Sequence, residues 1–139
     1  MKSSYSTLMQ SKFFNPAFNS AIFDGPVRIY FSQFHESLAL KIYFGLQQNY
    51  LDLMNDAKEA HKNHGNNILV MIYPSQEAFE MSFDGKNCLL CIDELEEDGL
   101  IAINGPFEDE QLPEVLKCIA DSVKKCNNSI HAEPKEAFI

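Results

Sequence analysis

The sequence predicts an α+β fold: one mostly antiparallel sheet of four to five strands, a long helix after the first strand, and a C-terminal helix packed on the sheet. Three observations predict it. After a short apolar run, a segment of about 30 residues contains only Gly45 to interrupt a helix. Several apolar runs of strand length follow, each bounded by turn residues. A second amphipathic segment closes the pattern, and a succession of strand, helix, strands and helix is that of a sheet with helices laid on it.

Taken in order, residues 1–26 read as an irregular N-terminal arm. Phe13, Phe14, Phe18 and Phe23 are its anchors, and Asp24-Gly25-Pro26 closes it as a turn signal. Val27 to Phe31 is the first strand, and Ser32 stands where a helix cap is needed. The helix then runs from about Gln33 to His64, and Gly65-Asn66-Asn67 carries C-cap chemistry.

On a helical wheel Leu38, Ala39, Ile42, Tyr43, Leu46, Tyr50, Leu53, Met54 and Ala57 share one broad arc. Leu40, Phe44 and Leu51 lie outside it. Two apolar faces need two surfaces to pack against. Length adds to this, because about 30 helical residues span roughly 45 Å, whereas a globule of this size is about 37 Å across. The helix is expected to kink near Gly45 or to project. Leu40, Phe44 and Leu51 are the expected seam for self-association or a partner, unless the arm folds over them.

Ile68 to Tyr73 is a continuous apolar run suited to a strand buried on both faces. Pro74-Ser75-Gln76 breaks it. Ala78 to Phe83 alternates, with Phe79, Met81 and Phe83 on one side, and reads as a strand, a short helix from Ser75 being the alternative. Asp84-Gly85 is a hairpin signal, Cys88 to Glu94 a strand, Glu97-Asp98-Gly99 a turn, and Leu100 to Ile103 the last strand. A helix from Asp109 or Pro113 to Cys126 buries Leu112, Val115, Leu116, Ile119 and Val123, and Lys124-Lys125 suit its C-terminal dipole. Residues 27–126 are thus expected to be a single domain, and 127–139 a mobile tail.

Composition narrows the function. With 20 acidic and 11 basic residues the formal charge is −9, which repels phosphate backbones and anionic lipid, so neither nucleic acid nor membrane is an expected partner. Between Asn87 and Leu116 there is no Lys or Arg, while Asp93, Glu94, Glu96, Glu97, Asp98, Glu108, Asp109, Glu110 and Glu114 all fall there. A partner of that half should be basic. No apolar stretch reaches membrane-spanning length and the N-terminus lacks a signal-peptide core, so a cytoplasmic location is expected.

Motifs that carry chemistry are sparse. Ser32-Gln33-Phe34-His35-Glu36 lies where a strand passes into a helix, a place where free N–H groups suit an anion. Ser32, His35 and Glu36 are the candidate ligand-binding residues, with His35 as acid or base and Glu36 orienting it or acting alone; against this, no nucleophile or glycine-rich cradle accompanies them, and a Ser cap followed by polar first-turn residues is what any helix start needs. His61 and His64 stand at helical spacing and could share a metal, but they also suit the helix dipole and lack a third ligand. Cys88 and Cys91 spell CxxC inside an apolar run, where strand alternation points the thiols to opposite faces, so buried cysteines are expected. The acidic run Asp93 to Asp98 lacks calcium-loop spacing and reads as a solvated hairpin tip.

No catalytic constellation, metal or cofactor is implied. The reading is a non-catalytic adaptor or regulatory protein-interaction module, homodimeric through the long helix. A small-ligand-binding protein or enzyme using Ser32, His35 and Glu36 is the alternative, and a chaperone-like binder of a basic client a third.

Overall fold

The chain reverses at Gly25-Pro26, where Gly25 takes the positive φ of 59° that the first position of this two-residue hairpin turn requires. In the computed structural model, the backbone is described at residues 4–62, 66–84 and 88–136 and the side chains at 5–62, 66–84 and 88–127. The turn joins β1 (Ser20–Asp24) to β2 (Val27–Phe31) as an antiparallel pair with Asp24 opposite Val27. Residues 1–26, expected to be irregular, thus supply an edge strand, preceded by a short helix α1 (Ser4–Met9).

After β2, a 3-10 turn at Gln33–His35 leads into α2 (Glu36–Asn49) and then α3 (Leu51–His61). The single rod expected over 33–64 is therefore two helices, and the break falls at Tyr50 (φ −135°, ψ 34°), not near Gly45. Local competition explains the position: the Asn49 side chain donates to the Gly45 carbonyl at 3.0 Å, taking a backbone acceptor at the end of α2. Gly45 itself stays helical. The expected C-cap at Gly65 lies outside the described residues.

β3 (Ile68–Ile72) returns parallel to β2, with Val27 opposite Ile68. The segment expected as a strand over 78–83 is instead α4 (Gln76–Ser82). Ser75 decides this, because its hydroxyl accepts the Ala78 N–H at 3.1 Å as an N-cap. Phe79 and Phe83, one turn apart, stack at 4.9 Å in the core, whereas Met81 is 81% exposed. The alternation that suggested a strand comes apart on the helix.

β4 (Leu90–Leu95) and β5 (Asp98–Ile103) form a second hairpin whose turn is Glu96-Glu97, slightly ahead of the expected Glu97-Asp98-Gly99. Glu96 holds a positive φ of 58° there. Gly85 of the other expected turn lies outside the described residues. β5 pairs parallel with β3, and the five strands run in the order β1-β2-β3-β5-β4.

The α+β fold with a five-stranded sheet is as the sequence predicts, but the sheet is mixed, not mostly antiparallel. Its inner ladders are parallel and only the outer pairs antiparallel. The crossover through α2 and α3 carries the chain back so that β3 starts at the same end as β2, and β4, running back antiparallel, does the same for β5 relative to β3. A further 3-10 turn at Asp109–Gln111 opens α5 (Leu112–Glu136). The helix continues past Cys126 to Glu136, into the segment expected to be a tail, there being no glycine in that stretch.

Side-chain alternation sorts the core into two layers. Ile68, Val70 and Ile72 of β3 join Ile42 and Leu46 of α2, Met54 of α3 and Val115, Ile119 and Val123 of α5. Leu69, Met71 and Tyr73 face the other way, against Leu8 of α1, Phe13, Phe18 and Phe79 and Phe83 at α4. The N-terminal phenylalanines are therefore on the side of the sheet opposite α2 and α3. Tyr73 holds that layer together: its buried hydroxyl donates to the Phe13 carbonyl at 2.5 Å, and its ring meets Phe18 and Phe79 edge to face.

Candidate functional site

The first place to weigh is the passage from β2 into α2. Ser32 is buried, and its hydroxyl accepts the Phe34 N–H at 3.3 Å while its carbonyl accepts the His35 N–H at 2.7 Å. Asn19 adds a side-chain oxygen that accepts the Gln33 N–H at 3.0 Å. Ser32 thus works as a cap. His35 is half-buried, with Nδ1 lacking a hydrogen-bond partner among the described residues, and Glu36 is exposed in the first turn of α2. Phe34 between them is 85% exposed. The three residues are close in sequence, and each of the clefts described below has other walls.

The second place is the outer side of α2 and α3. Phe44 is 52% exposed and Leu51 48%, one on each side of the break at Tyr50, and Leu40 is half-buried. The residues that face the sheet, Ala39, Ile42, Leu46, Met54 and Ala57, are all sealed, so the two-faced character read from the wheel is present in the fold. Tyr43 packs its ring on Phe44 at 5.2 Å. From Ser37 to Leu51 the only charged residue is Lys41, and its ammonium lies 2.6 Å from Asp109, tying α2 to the turn that opens α5.

Three clefts lie elsewhere among the described residues. The largest, about 430 Å³, runs between the outer edge strand β4 and α5, with Ile92, Cys118 and the aliphatic stem of Lys117 among its walls. A smaller one of about 260 Å³ lies beside β1, walled by Tyr5, Phe18 and Phe23. The third, about 360 Å³, opens at the carboxyl ends of β3 and β5, where ligands of sheet-and-helix folds collect. Gln76, Cys88, Asn104 and Gln111 line it, and the Asn104 side chain donates to the Cys88 carbonyl at 2.9 Å.

Sequence reading missed what happens at that third cleft. Cys88 lies in a bend ahead of β4, not in the strand, so alternation does not govern it, and the two thiols of CxxC meet at 3.3 Å instead of pointing apart. Cys88 is exposed and Cys91 buried. Cys118 and Cys126 are half-buried, and burial pushes both thiols above the ordinary range. The only available signal was the start of the apolar run, which could have been trimmed by two residues. Ile92 of β4 is 68% exposed on an acidic strand.

Of the paired histidines, His61 faces Asn67 through a ring nitrogen at 2.8 Å, and His64 lies outside the described residues. Among the described residues no cluster of three or more His, Cys, Asp and Glu side chains is placed to hold a metal. No helix among them is long and apolar enough to cross a membrane. No protein-family model matches the chain, and no curated protein or solved structure matches it.

Proposed function

We propose that the protein is a non-catalytic protein-interaction module that associates with a second copy of itself through the outer face of α2 and α3. The observation that carries this reading is the exposure of Phe44 and Leu51 in a stretch that is almost free of charge. The arm that would otherwise cover them is engaged on the far side of the sheet. Two chains of net charge −9 repel one another over most of their surfaces, so the almost uncharged outer side of α2, reaching Leu51 at the start of α3 and ending where Asp52, Asp56 and Glu59 are exposed, is where they can meet. A two-fold axis then sets the patch against itself.

Covering the exposed halves of Phe44 and Leu51 on both copies is worth about 4 kcal/mol, at roughly 1 kcal/mol for each side chain. Association costs about 4–15 kcal/mol in lost translational and rotational freedom, so these side chains offset part of that cost and the flanking contacts supply the net affinity of a weak, reversible dimer.

Light scattering across tens to hundreds of micromolar tests it. The expected result is a concentration-dependent rise toward twice the monomer mass that strengthens with salt, because screening removes the repulsion between like-charged chains. Phe44→Asp should abolish the rise while leaving the circular dichroism spectrum unchanged. A strict monomer throughout, or a dimer indifferent to Phe44→Asp, would overturn the reading. Binding of basic peptides weakened by salt would favour the basic-client alternative.

A further inference from the structure

We propose that Cys88 and Cys91 form a redox-active dithiol that closes reversibly to a disulfide, with the exposed Cys88 receiving the oxidant. The thiols are already 3.3 Å apart, and a disulfide needs about 2 Å, so closure asks only for a small rotation of the side chains. The backbone around them is held. Asn104 donates its side-chain amide to the Cys88 carbonyl at 2.9 Å and its backbone N–H to the Leu89 carbonyl at 2.8 Å. Those bonds anchor the bend to the end of β5 and keep the two sulfurs facing each other.

The pair is unequal in a way that suits stepwise chemistry. Cys88 lines the cleft at the carboxyl ends of β3 and β5, about 360 Å³ in volume, so a peroxide or a small disulfide can reach its sulfur. Cys91 packs against the layer of Tyr73 and Phe79 and is shielded from direct attack. An exposed thiol beside a sheltered partner is the arrangement in which the first is modified and the second resolves the product. Two sulfurs alone supply half of the four ligands a structural zinc site uses.

The step balances with a peroxide as oxidant. The Cys88 sulfur attacks one peroxide oxygen and breaks the O–O bond, giving a sulfenic acid and one water. The Cys91 sulfur then displaces the sulfenic hydroxyl, which leaves as a second water with the Cys91 proton. Two thiols and one hydrogen peroxide become one disulfide and two waters, and two electrons pass from sulfur to oxygen. An external dithiol returns two electrons and two protons and is itself oxidised to a disulfide.

The experiment treats the reduced full-length chain with one equivalent of hydrogen peroxide, alkylates the remaining thiols, and maps the peptides by mass. The expected product has lost two hydrogens within the peptide that spans Cys88 and Cys91, with Cys118 and Cys126 alkylated, and dithiothreitol restores the reduced mass. In Cys91→Ser the sulfenic acid at Cys88 should persist and react with dimedone; in Cys88→Ser no intramolecular bond should form. Oxidation that appears first at Cys118 or Cys126, or a Cys88 sulfenic acid that persists equally with Cys91 present, overturns the proposal. Circular dichroism of both serine variants confirms that they are folded.

Discussion

The Asp24 carboxylate at the end of β1 is buried and lies 2.9 Å from the Lys58 ammonium of α3, while Gln47 of α2 donates to its other oxygen. One acid thereby joins an edge strand to both crossover helices. Gly25 makes room for it, since a Cβ at that position would meet the Lys58 stem at 2.8 Å. Lys58→Met removes one partner of a sheltered charge and should lower stability by about 1–3 kcal/mol in urea unfolding. Adding Asp24→Asn should recover part of that loss, because no uncompensated carboxylate then remains. Equal additive losses would show that the pair is not coupled.

At Gly45, α2 lies close against Leu116 of α5. A Cβ there would stand 2.6 Å from Cδ1 of Leu116, a side chain held in the core. Gly45→Ala gains up to about 1 kcal/mol in helix propensity and loses about 1–3 kcal/mol to overpacking. The expected net result is destabilisation. Leu116→Ala in the same chain should make Gly45→Ala neutral or stabilising, a reversal of sign that a double-mutant cycle reads directly.

Tyr73 carries an expectation about alkaline pH. Burial pushes its phenol up to about 12, outweighing the opposing hydrogen bond with Ser82. In the unfolded chain the phenol ionises near its ordinary value of about 10, so there the unfolded state releases a proton the folded state keeps. The stabilising contribution is full below about pH 10 and is lost as pH rises toward 12. Tyr30, also raised by burial, adds to the same slope. Tyr73→Phe should flatten the decline in melting temperature over that range. At neutral pH the same change should cost about 1–2 kcal/mol, because the Phe13 carbonyl loses its donor.

Cys118 should react more slowly with iodoacetamide than Cys88 in the reduced protein at neutral pH. Burial raises its thiol first, and Asp121 and Glu114 add to the effect against the opposing Lys117. Its rate should climb only above the pH at which an unperturbed thiol ionises. Cys126, raised by burial and then by Asp98, should behave likewise. Peptide-resolved alkylation across a pH series measures both, and a Cys118 that reacts as fast as Cys88 near pH 7 contradicts this.

The elements legible in the sequence are those whose burial is complete or strictly periodic. Ile68 to Ile72 is sealed on both faces and reads as a central strand, and Val115, Ile119 and Val123 recur at helical spacing. The break at Tyr50 was not legible, because it depends on where the Asn49 side chain finds a carbonyl. Phe79 and Phe83 misled, since a spacing of four residues fits both periods, Met81 between them fits only the strand, and the Ser75 cap decides for the helix. The direction of the inner strands was inferable from the helical length between β2 and β3, which excludes a hairpin. At the candidate sites, the wheel identified Phe44 and Leu51, whereas the meeting of Cys88 with Cys91 depends on Asn104, far away along the chain.

The central strand has consequences for how the chain assembles. The hairpins β1–β2 and β4–β5 close over a few residues and can zip on a microsecond timescale. β3 has no such neighbour, because Val70 must find Ile29 on one flank and Ile101 on the other across long intervals of chain. Closing those intervals costs chain entropy before the contacts repay any of it, so the rate-limiting barrier lies in threading β3 between preformed halves. Val70→Ala should consequently slow refolding in stopped-flow experiments, and Ile22→Ala in the outer hairpin should chiefly speed unfolding.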